Sequence, residues 1–147
     1  MTDNSPWGGP DPVALQQILR QTRTIAIVGV SANPSRPSNS VYRYLKSTDD
    51  YDLYPVNPTI TEIDGERVYA RLADLPVVPD LVDVFRRQEE LPSVLADVLA
   101  LPQRPKTLWL QQGLFDEQVA REAEAAGLQV VMDRCLKVDH AQAVNRR

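Results

Sequence analysis

The sequence contains a single cysteine, Cys135, and a single histidine, His140, among its 147 residues. One cysteine excludes both an intramolecular disulfide and a cysteine-based zinc cluster, and one histidine excludes a metal site built from several histidines. We expect no metal. The chain also lacks an apolar run long enough to cross a membrane, and its N-terminus, MTDNSPWGGP, lacks the basic and then apolar order of a secretory signal. We therefore expect a cytoplasmic protein that does not enter a membrane.

Basic residues are outnumbered by acidic ones, 16 to 20. The formal net charge is -4, which argues against a broad nucleic-acid surface, because such a surface needs clustered Lys and Arg. A local basic pocket for a small polyanion is still compatible with this total. With 43% hydrophobic and 24% charged residues, the chain reads as one globular domain. We place this domain at residues 11–140, after a flexible lead-in at 1–10 and before a polar tail at 141–147.

The stretch Thr24–Arg36, TIAIVGVSANPSR, passes from an apolar run into a small polar loop. The run before Gly29 is typical of a central parallel strand covered on both faces, and the glycine marks a sharp turn or a close backbone approach. Ser38 is predicted to be the N-cap of the following helix. Because a helix N-terminus attracts anions and Arg36 adds a fork of donors, the stretch predicts a phosphate site. The alternative is a βα connection that binds no ligand.

Two motifs of common phosphate sites are missing. After Gly29 the chain has neither the second nor the third glycine of G-x-G-x-x-G, and it has no Walker lysine pattern. The second predicted strand ends in Asn57-Pro58, where a dinucleotide enzyme usually carries an acidic residue for the ribose. These absences disfavour an ordinary nicotinamide site, but an NAD(P)-binding oxidoreductase-like module remains an alternative.

Predicted strands alternate with predicted helices along the chain, which indicates a parallel α/β sheet with right-handed crossovers. The predicted strands are 25–28, 51–56, 81–85, 107–110 and 128–132. We expect a single Rossmann-like, doubly wound domain with five parallel strands in the order 3-2-1-4-5. In such sheets the ligand binds beyond the carboxyl ends of the strands, next to strand one. That edge would gather the segments 29–38, 57–58, 85–87 and 111–113.

Five motifs in this order resemble the CoA-binding domain family. They are IAIVGVSANPSRPS at 25–38, YPVNP at 54–58, DVFRR at 83–87, WLQQG at 109–113 and VVMDRCLKVDH at 130–140. The family also supplies the first part of the succinyl-CoA synthetase α subunit and of ADP-forming acyl-CoA synthetases. More narrowly, the chain resembles the stand-alone CoA-binding proteins of the YccU type. The resemblance covers roughly residues 20–140.

The resemblance implies that coenzyme A or an acyl-CoA lies across the carboxyl edge of the sheet. The loop 29–36 and the helix after it would hold the pyrophosphate, 57–58 would lie near the ribose and 3′-phosphate, 85–87 near the adenine, and 111–113 near the pantetheine arm. The predicted ligand-binding residues are Gly29, Val30, Ser31, Asn33, Ser35, Arg36, Ser38, Asn57, Pro58, Phe85, Arg86, Arg87, Gln111, Gln112 and Gly113.

No catalytic residue is predicted. The related ligases use a phosphorylated histidine in a separate domain, so we expect no self-contained ligase activity here and assign His140 a structural role. Cys135 is either a small buried filler or a thiol that exchanges with CoA, its pKa lowered by Arg134 and Lys137. The expected function is binding of CoA without conversion, in sensing, carriage or delivery to a protein partner. A protein-interaction domain that has lost its ligand is the second alternative.

Overall fold

The computed structural model describes residues 11–145. The five α-helices in this range are α1 (Pro12–Gln21), α2 (Pro37–Thr48), α3 (Leu91–Leu99), α4 (Glu117–Ala125) and α5 (Leu136–Asn145). The seven strands in the same range are β1 (Thr24–Val28), β2 (Asp52–Val56), β3 (Glu62–Ile63), β4 (Glu66–Arg67), β5 (Leu81–Val84), β6 (Thr107–Leu110) and β7 (Gln129–Val131). Short 3₁₀ turns lie at Leu72–Asp74 and Gln88–Glu90.

Five of the strands form one parallel sheet in the order β2-β1-β5-β6-β7, and β3 and β4 form a small antiparallel hairpin. The predicted fold class, a five-stranded Rossmann-like domain, is confirmed. The predicted order 3-2-1-4-5 is wrong, because β5, the third strand of this sheet, lies between β1 and β6. The physical reason lies in β2, where Pro55 offers no N–H to a ladder and Asp52 is exposed. Such a strand suits the edge of a sheet and not its interior.

Helices cover both faces of this sheet, so that the apolar strands are buried on both sides. Helices α1, α2 and α5 pack on one face, against the side chains of Ile25, Ile27, Leu81 and Trp109. Helices α3 and α4 pack on the other face, where residues of the opposite parity, such as Val82, contribute the core. Helix α2 follows β1 on the first face and α3 follows β5 on the second, so the chain changes face between these two adjacent strands.

The described chain begins and ends with a helix. Helix α1 begins at Pro12, and the carboxylate of its N-cap, Asp11, accepts a hydrogen bond from the Val13 N–H at 2.9 Å. The predicted lead-in 1–10 lies outside the described residues. The polar tail predicted to begin at residue 141 is instead the second half of α5, in which Ala143 is buried in the core.

His140 ties α5 to α2 and to the start of β2. Its side chain is buried, with Nδ1 2.8 Å from the Tyr44 hydroxyl and Nε2 2.9 Å from an Asp50 carboxylate oxygen. The rings of Tyr44 and Tyr51 meet it edge to face, with centroids 5.4 and 5.6 Å away. Because Asp50 precedes β2, this cluster lies at the amino edge of the sheet. The histidine therefore joins elements of the fold at the edge opposite the loops that follow the strands.

Replacing His140 with Phe keeps a ring of similar size but removes both hydrogen bonds. We expect the free energy of unfolding to fall by about 1–3 kcal/mol, because the hydrogen bonds that tie this buried ring to Tyr44 and Asp50 are lost. Urea unfolding followed by circular dichroism measures the change. The control is Gln142→Ala, at an exposed position of the same helix. An unchanged unfolding midpoint for the Phe variant would contradict the structural role.

Candidate functional site

Gly29 is where β1 leaves the sheet, and the backbone there passes very close to the end of β5. Its φ is +88°, and a Cβ at this position would lie 2.0 Å from the carbonyl oxygen of Phe85. The Gly29 N–H donates to the carbonyl of Val56 at 2.8 Å, and the Phe85 N–H donates to that of Val28 at 2.8 Å. Only glycine combines this conformation with this approach. At Gly29 the carboxyl edge of the sheet therefore presents bare backbone and no side chain. We call this bare surface the floor of the site.

The loop after Gly29 is held by its own polar side chains. The Ser31 N–H donates to Ser38 Oγ at 2.9 Å, the Asn33 N–H donates to Ser31 Oγ at 3.0 Å, and the Ser35 N–H donates to Asn33 Oδ1 at 3.0 Å. Asn39 adds a bond from Nδ2 to the Ser31 carbonyl at 2.9 Å. These are short local turns of the kind that Ser and Asn favour. The conformation of the loop is thus held by hydrogen bonds within the protein itself.

Helix α2 begins two residues earlier than the N-cap prediction requires. Arg36 is the N-cap and Pro37 occupies the first helical position, so the prediction that Ser38 is the N-cap is wrong. Pro37 fixes the φ angle that a first helical residue needs, and the Ser38 hydroxyl is already used by Ser31. The Arg36 side chain makes no cap hydrogen bond, and within residues 11–145 it forms no ion pair. Its guanidinium remains available to an anion at the start of a 12-residue helix.

A cleft of about 380 Å³ opens beside this helix start, at the carboxyl ends of β1, β5 and β6. Its walls combine small polar groups, one cation and apolar surface. The residues that line it are Gly29, Ser31, Arg36, Pro37, Ser38, Phe85, Gln111, Gln112 and Leu114. A cleft of this composition suits a ligand with an anionic part and an extended, partly apolar part.

A second cavity, of about 180 Å³, lies on the other side of Gly29. Pro58, Arg71 and Arg86 are among the residues that line it. Arg86 Nη2 is 2.9 Å from a carboxylate oxygen of Glu90, which also lines the cavity. The pKa of Glu90 is lowered, chiefly because the Arg87 backbone N–H donates to its carboxylate and also because of the two arginines. Arg86 therefore reaches this cavity already paired with an acid.

Asn57 and Val30 connect the ends of β1 and β2 and do not line either cavity. Asn57 Nδ2 donates to the Val30 carbonyl at 2.8 Å, while Asn57 Oδ1 accepts from the N–H and the hydroxyl of Thr59 at 2.8 and 2.7 Å. Val30 itself is fully buried. Both residues therefore hold the backbone at the carboxyl edge of the sheet and do not face either cavity.

The remaining predicted residues lie at the margins. Arg87 is 76% exposed, with its Nε 3.5 Å from the carboxylates of both Glu89 and Glu90. The Gly113 N–H donates to Asp133 Oδ1 at 2.7 Å. Asn33 and Ser35 are exposed and serve the loop network. Of the predicted set, the structure thus brings Gly29, Ser31, Arg36, Ser38, Phe85, Gln111 and Gln112 to one cleft and Pro58 and Arg86 to its neighbour.

Cys135 lines a third cavity, of about 250 Å³, which shares Gln112 with the main cleft. The thiol is half-buried and free. Arg134 is engaged in two bonds to Asp139, at 2.7 and 2.8 Å, and Lys137 Nζ lies 3.1 Å from Ser40 Oγ. The two cations that the sequence associates with this thiol therefore have partners of their own.

Two buried polar side chains lie at or beneath the main cleft. Gln111 is 6% exposed and Asp83 is fully buried, and neither Gln111 Oε1 nor either Asp83 carboxylate oxygen has a hydrogen-bond partner among the described residues. Burial raises the pKa of Asp83 well above its ordinary value. A buried polar atom without a partner is uncommon in a folded protein and calls for an explanation.

Several residues of this region were not predicted from the sequence, among them Arg71, Leu114 and Asp83. Arg71 and Leu114 lie in irregular segments after strands, where nothing in the local pattern singles them out. Asp83 did carry a signal, since it is a carboxylate inside the apolar run LVDVF. A charge in a strand that is buried on both faces is expensive and is rarely incidental.

These features define a class of protein: a Rossmann-like α/β domain with a ligand cleft beyond the carboxyl ends of its strands, where the chain changes face. Residues 23–141 match the CoA binding domain family. The chain therefore belongs to that family, and the resemblance drawn from the five motifs is confirmed.

Individual relatives agree along nearly their whole length. Uncharacterized protein YneT of Bacillus subtilis (strain 168) is 36% identical over 132 residues, which are 90% of this chain and 96% of YneT. The structure of cell-free ID.343 from Thermus thermophilus has 40% identity and a TM-score of 0.84, over 91% of this chain and 99% of that one. A hypothetical protein from Pyrococcus horikoshii OT3 has 29% identity and a TM-score of 0.87, over 98% and 99% of the two chains.

Other classes of site find no support in the described residues. Within 11–145, no group of three or more His, Cys, Asp or Glu side chains is placed to hold a metal ion. Across the same range, no helix has both the length and the apolar character needed to cross a membrane.

Replacing Gly29 with Ala tests the floor of the cleft. We expect the free energy of unfolding to fall by about 3 kcal/mol or more, because the new methyl group meets the Phe85 carbonyl as well as an unfavourable φ. Gly127 is a matched control, since its φ is +96° but a Cβ there meets nothing within 4 Å. Gly127→Ala should lose only about 1–2 kcal/mol, from the φ angle alone. Equal losses in thermal or urea unfolding would show that the close approach is unimportant.

Proposed function

We propose that this protein binds coenzyme A or an acyl-CoA across the carboxyl edge of its sheet and does not convert it. The observation that carries the proposal is the Arg36 guanidinium, which lines a preformed cleft at the start of α2 without an acidic partner in residues 11–145. Family membership supplies the ligand class. Diphosphate is the group that such a helix start and a free guanidinium recognise well.

The two cavities beside Gly29 suit the different parts of this ligand. The pyrophosphate would lie against Arg36 and the start of α2, and the pantetheine arm would extend along Gln111 and Gln112. The adenosine end, with its 3′-phosphate, would occupy the smaller cavity near Pro58, Arg71 and Arg86. Here Arg86 would exchange part of its pairing with Glu90 for the phosphate, which makes this cavity the weaker anion site.

The proposal of binding without conversion rests on where the reactive groups lie. His140 is buried at the amino edge of the sheet, between Tyr44 and Asp50, whereas the cleft is at the carboxyl edge. A general acid or base has to reach the ligand directly or through one water. We therefore propose a cytoplasmic CoA sensor, carrier or delivery module that acts with a protein partner.

Calorimetric titration of the reduced, ligand-stripped protein with CoA tests the proposal. We expect Arg36→Ala to weaken binding about tenfold, because a charge-assisted contact to phosphate is lost. Arg43→Ala is the matched control: Arg43 lies on the same helix but is paired with Asp64 at 3.1 Å, and it should bind CoA as the wild type does. Arg86→Ala reports on the smaller cavity and should have the lesser effect.

The same titration separates the two alternatives. Displacement of CoA by NAD or NADP at similar concentrations would support a nicotinamide-binding module. Absence of binding by CoA, NAD and NADP to the folded protein would overturn the proposal and leave a protein-interaction domain. A loss in Arg43→Ala equal to that in Arg36→Ala would mean that general charge, and not the cleft, attracts the ligand.

Cys135 is proposed as a site of thiol exchange with the ligand's own sulfur. The Cys135 thiolate would attack one sulfur of oxidised CoA, form a disulfide to it and release the other CoA half as its thiolate. Incubation with oxidised CoA should therefore add the mass of one CoA to the wild type and none to Cys135→Ala. Glutathione disulfide should react more slowly, because it lacks the groups that the cleft would hold. An unmodified wild type would rule the exchange out.

A further inference from the structure

Asp83 lies directly beneath the floor of the main cleft. In the sheet register it is flanked by Ile27 of β1 and Trp109 of β6, whose side chains face α1, α2 and α5. Side chains two residues apart on a strand share a face. Two residues after Ile27, Asp83 and Trp109 come Gly29, Phe85 and Gln111, just beyond the ends of the three strands. All three of these residues line the cleft. The buried acid therefore belongs to the layer that supports the site.

Asp83 and Gln111 both have buried side-chain oxygens without a hydrogen-bond partner, and each could supply the partner that the other lacks. Asp83 lies on β5 opposite Trp109, and Gln111 comes two residues after Trp109, directly beyond the end of β6, where its N–H still donates to the Val84 carbonyl at 3.3 Å. This spacing puts Gln111 on the same face as Asp83 and within reach of a glutamine side chain. Both Asp83 oxygens and Gln111 Oε1 are enclosed without a partner in the described part of the chain. The oxygen of Gln111 can only accept a hydrogen bond, and a carboxyl group can donate one only when it is protonated. The neutral acid would satisfy both residues at once.

The surroundings of Asp83 favour the neutral acid. Burial raises the pKa of its carboxyl group, and no neighbouring charge contributes to this shift. Its flanking residues in the register, Ile27 and Trp109, are apolar. An unpaired carboxylate in such a layer would be costly, whereas a carboxylic acid needs only one acceptor.

We propose that Asp83 is a positioning residue for the ligand site: as a carboxylic acid it donates a hydrogen bond to Gln111 Oε1, which turns Gln111 Nε2 toward the cleft. Of the two amide atoms of Gln111, the oxygen is the one enclosed without a partner, so the nitrogen is the one left for the cleft. There it would donate to a carbonyl group of the ligand. Resting on the proposed function, this assigns Gln111 Nε2 to an amide carbonyl of the pantetheine arm.

The pair can be tested without any ligand. Carbon-13 NMR of the Asp83 carboxyl group, assigned by comparison with Asp83→Asn, should show the protonated form at neutral pH. The Gln111 side-chain amide protons should shift in Asp83→Leu and should stay near their wild-type positions in Asp83→Asn, because Asn still offers a donor. An ionised Asp83 at neutral pH would overturn the proposal, since it would accept a bond from Gln111 Nε2 and leave the oxygen facing the cleft.

Titration with CoA tests the consequence for binding. Asp83→Asn should bind within about twofold of the wild type, and Asp83→Leu should bind about three- to tenfold more weakly, as expected for one lost hydrogen bond. In a Gln111→Met background, Asp83→Leu should cause no further loss, because the residue acts only through Gln111. Wild-type affinity in Asp83→Leu, or an additive loss in the double variant, would overturn the positioning role.

The two measurements fail in distinguishable ways. If the wild type binds no CoA, the proposed function fails, and the NMR result still decides whether Asp83 holds Gln111. If Asp83→Leu does not fold, the protonation state in the wild type and the Asn rescue decide the question.

Discussion

The close approach of the Gly29 backbone to the Phe85 carbonyl is the constraint on which the rest of the site depends. It brings β1 and β5 together beyond their last paired residues and turns the chain away from the sheet. From there the loop leads to the start of α2, where Arg36 and Ser38 border the cleft. A side chain at this point would separate the two strand ends and fill the centre of the floor. The missing side chain is thus what lets one cavity open on each side of Gly29.

Most of the arginines at this edge are paired with acidic side chains. Arg86 is held by Glu90, Arg71 lies 3.1 Å from Asp74, and Arg87 lies near two glutamates. Arg36 differs, because it has no acidic partner within residues 11–145. Since the net charge of -4 gives no long-range attraction to a phosphate, recognition has to come from this local arrangement. The distribution favours a specific small ligand over an extended polyanion.

The strand ends and the loop after β1 were predictable because hydrophobic runs followed by Gly, Ser and Asn carry a direct physical meaning. The strand order was predicted wrongly, although Pro55 within β2 was a usable sign of an edge strand. Asn57, Val30 and Ser38 were assigned to the ligand, and the structure uses their polar groups to hold the backbone. Sequence alone does not distinguish these uses, because a serine that caps a loop and a serine that binds phosphate have the same local pattern.

The internal use of these polar groups has an energetic consequence for binding. Because the loop amides of Ser31, Asn33 and Ser35 already have partners, the loop pays little ordering entropy when a ligand arrives. Fewer backbone donors are then left for a phosphate, so in the proposed complex the binding energy would fall on a few side chains, chiefly Arg36 and Gln111. By the same reasoning, the proposed hydrogen bond from Asp83 would matter because it fixes the orientation of Gln111. In a preformed site with few contacts, the orientation of each donor decides whether the cleft recognises its ligand.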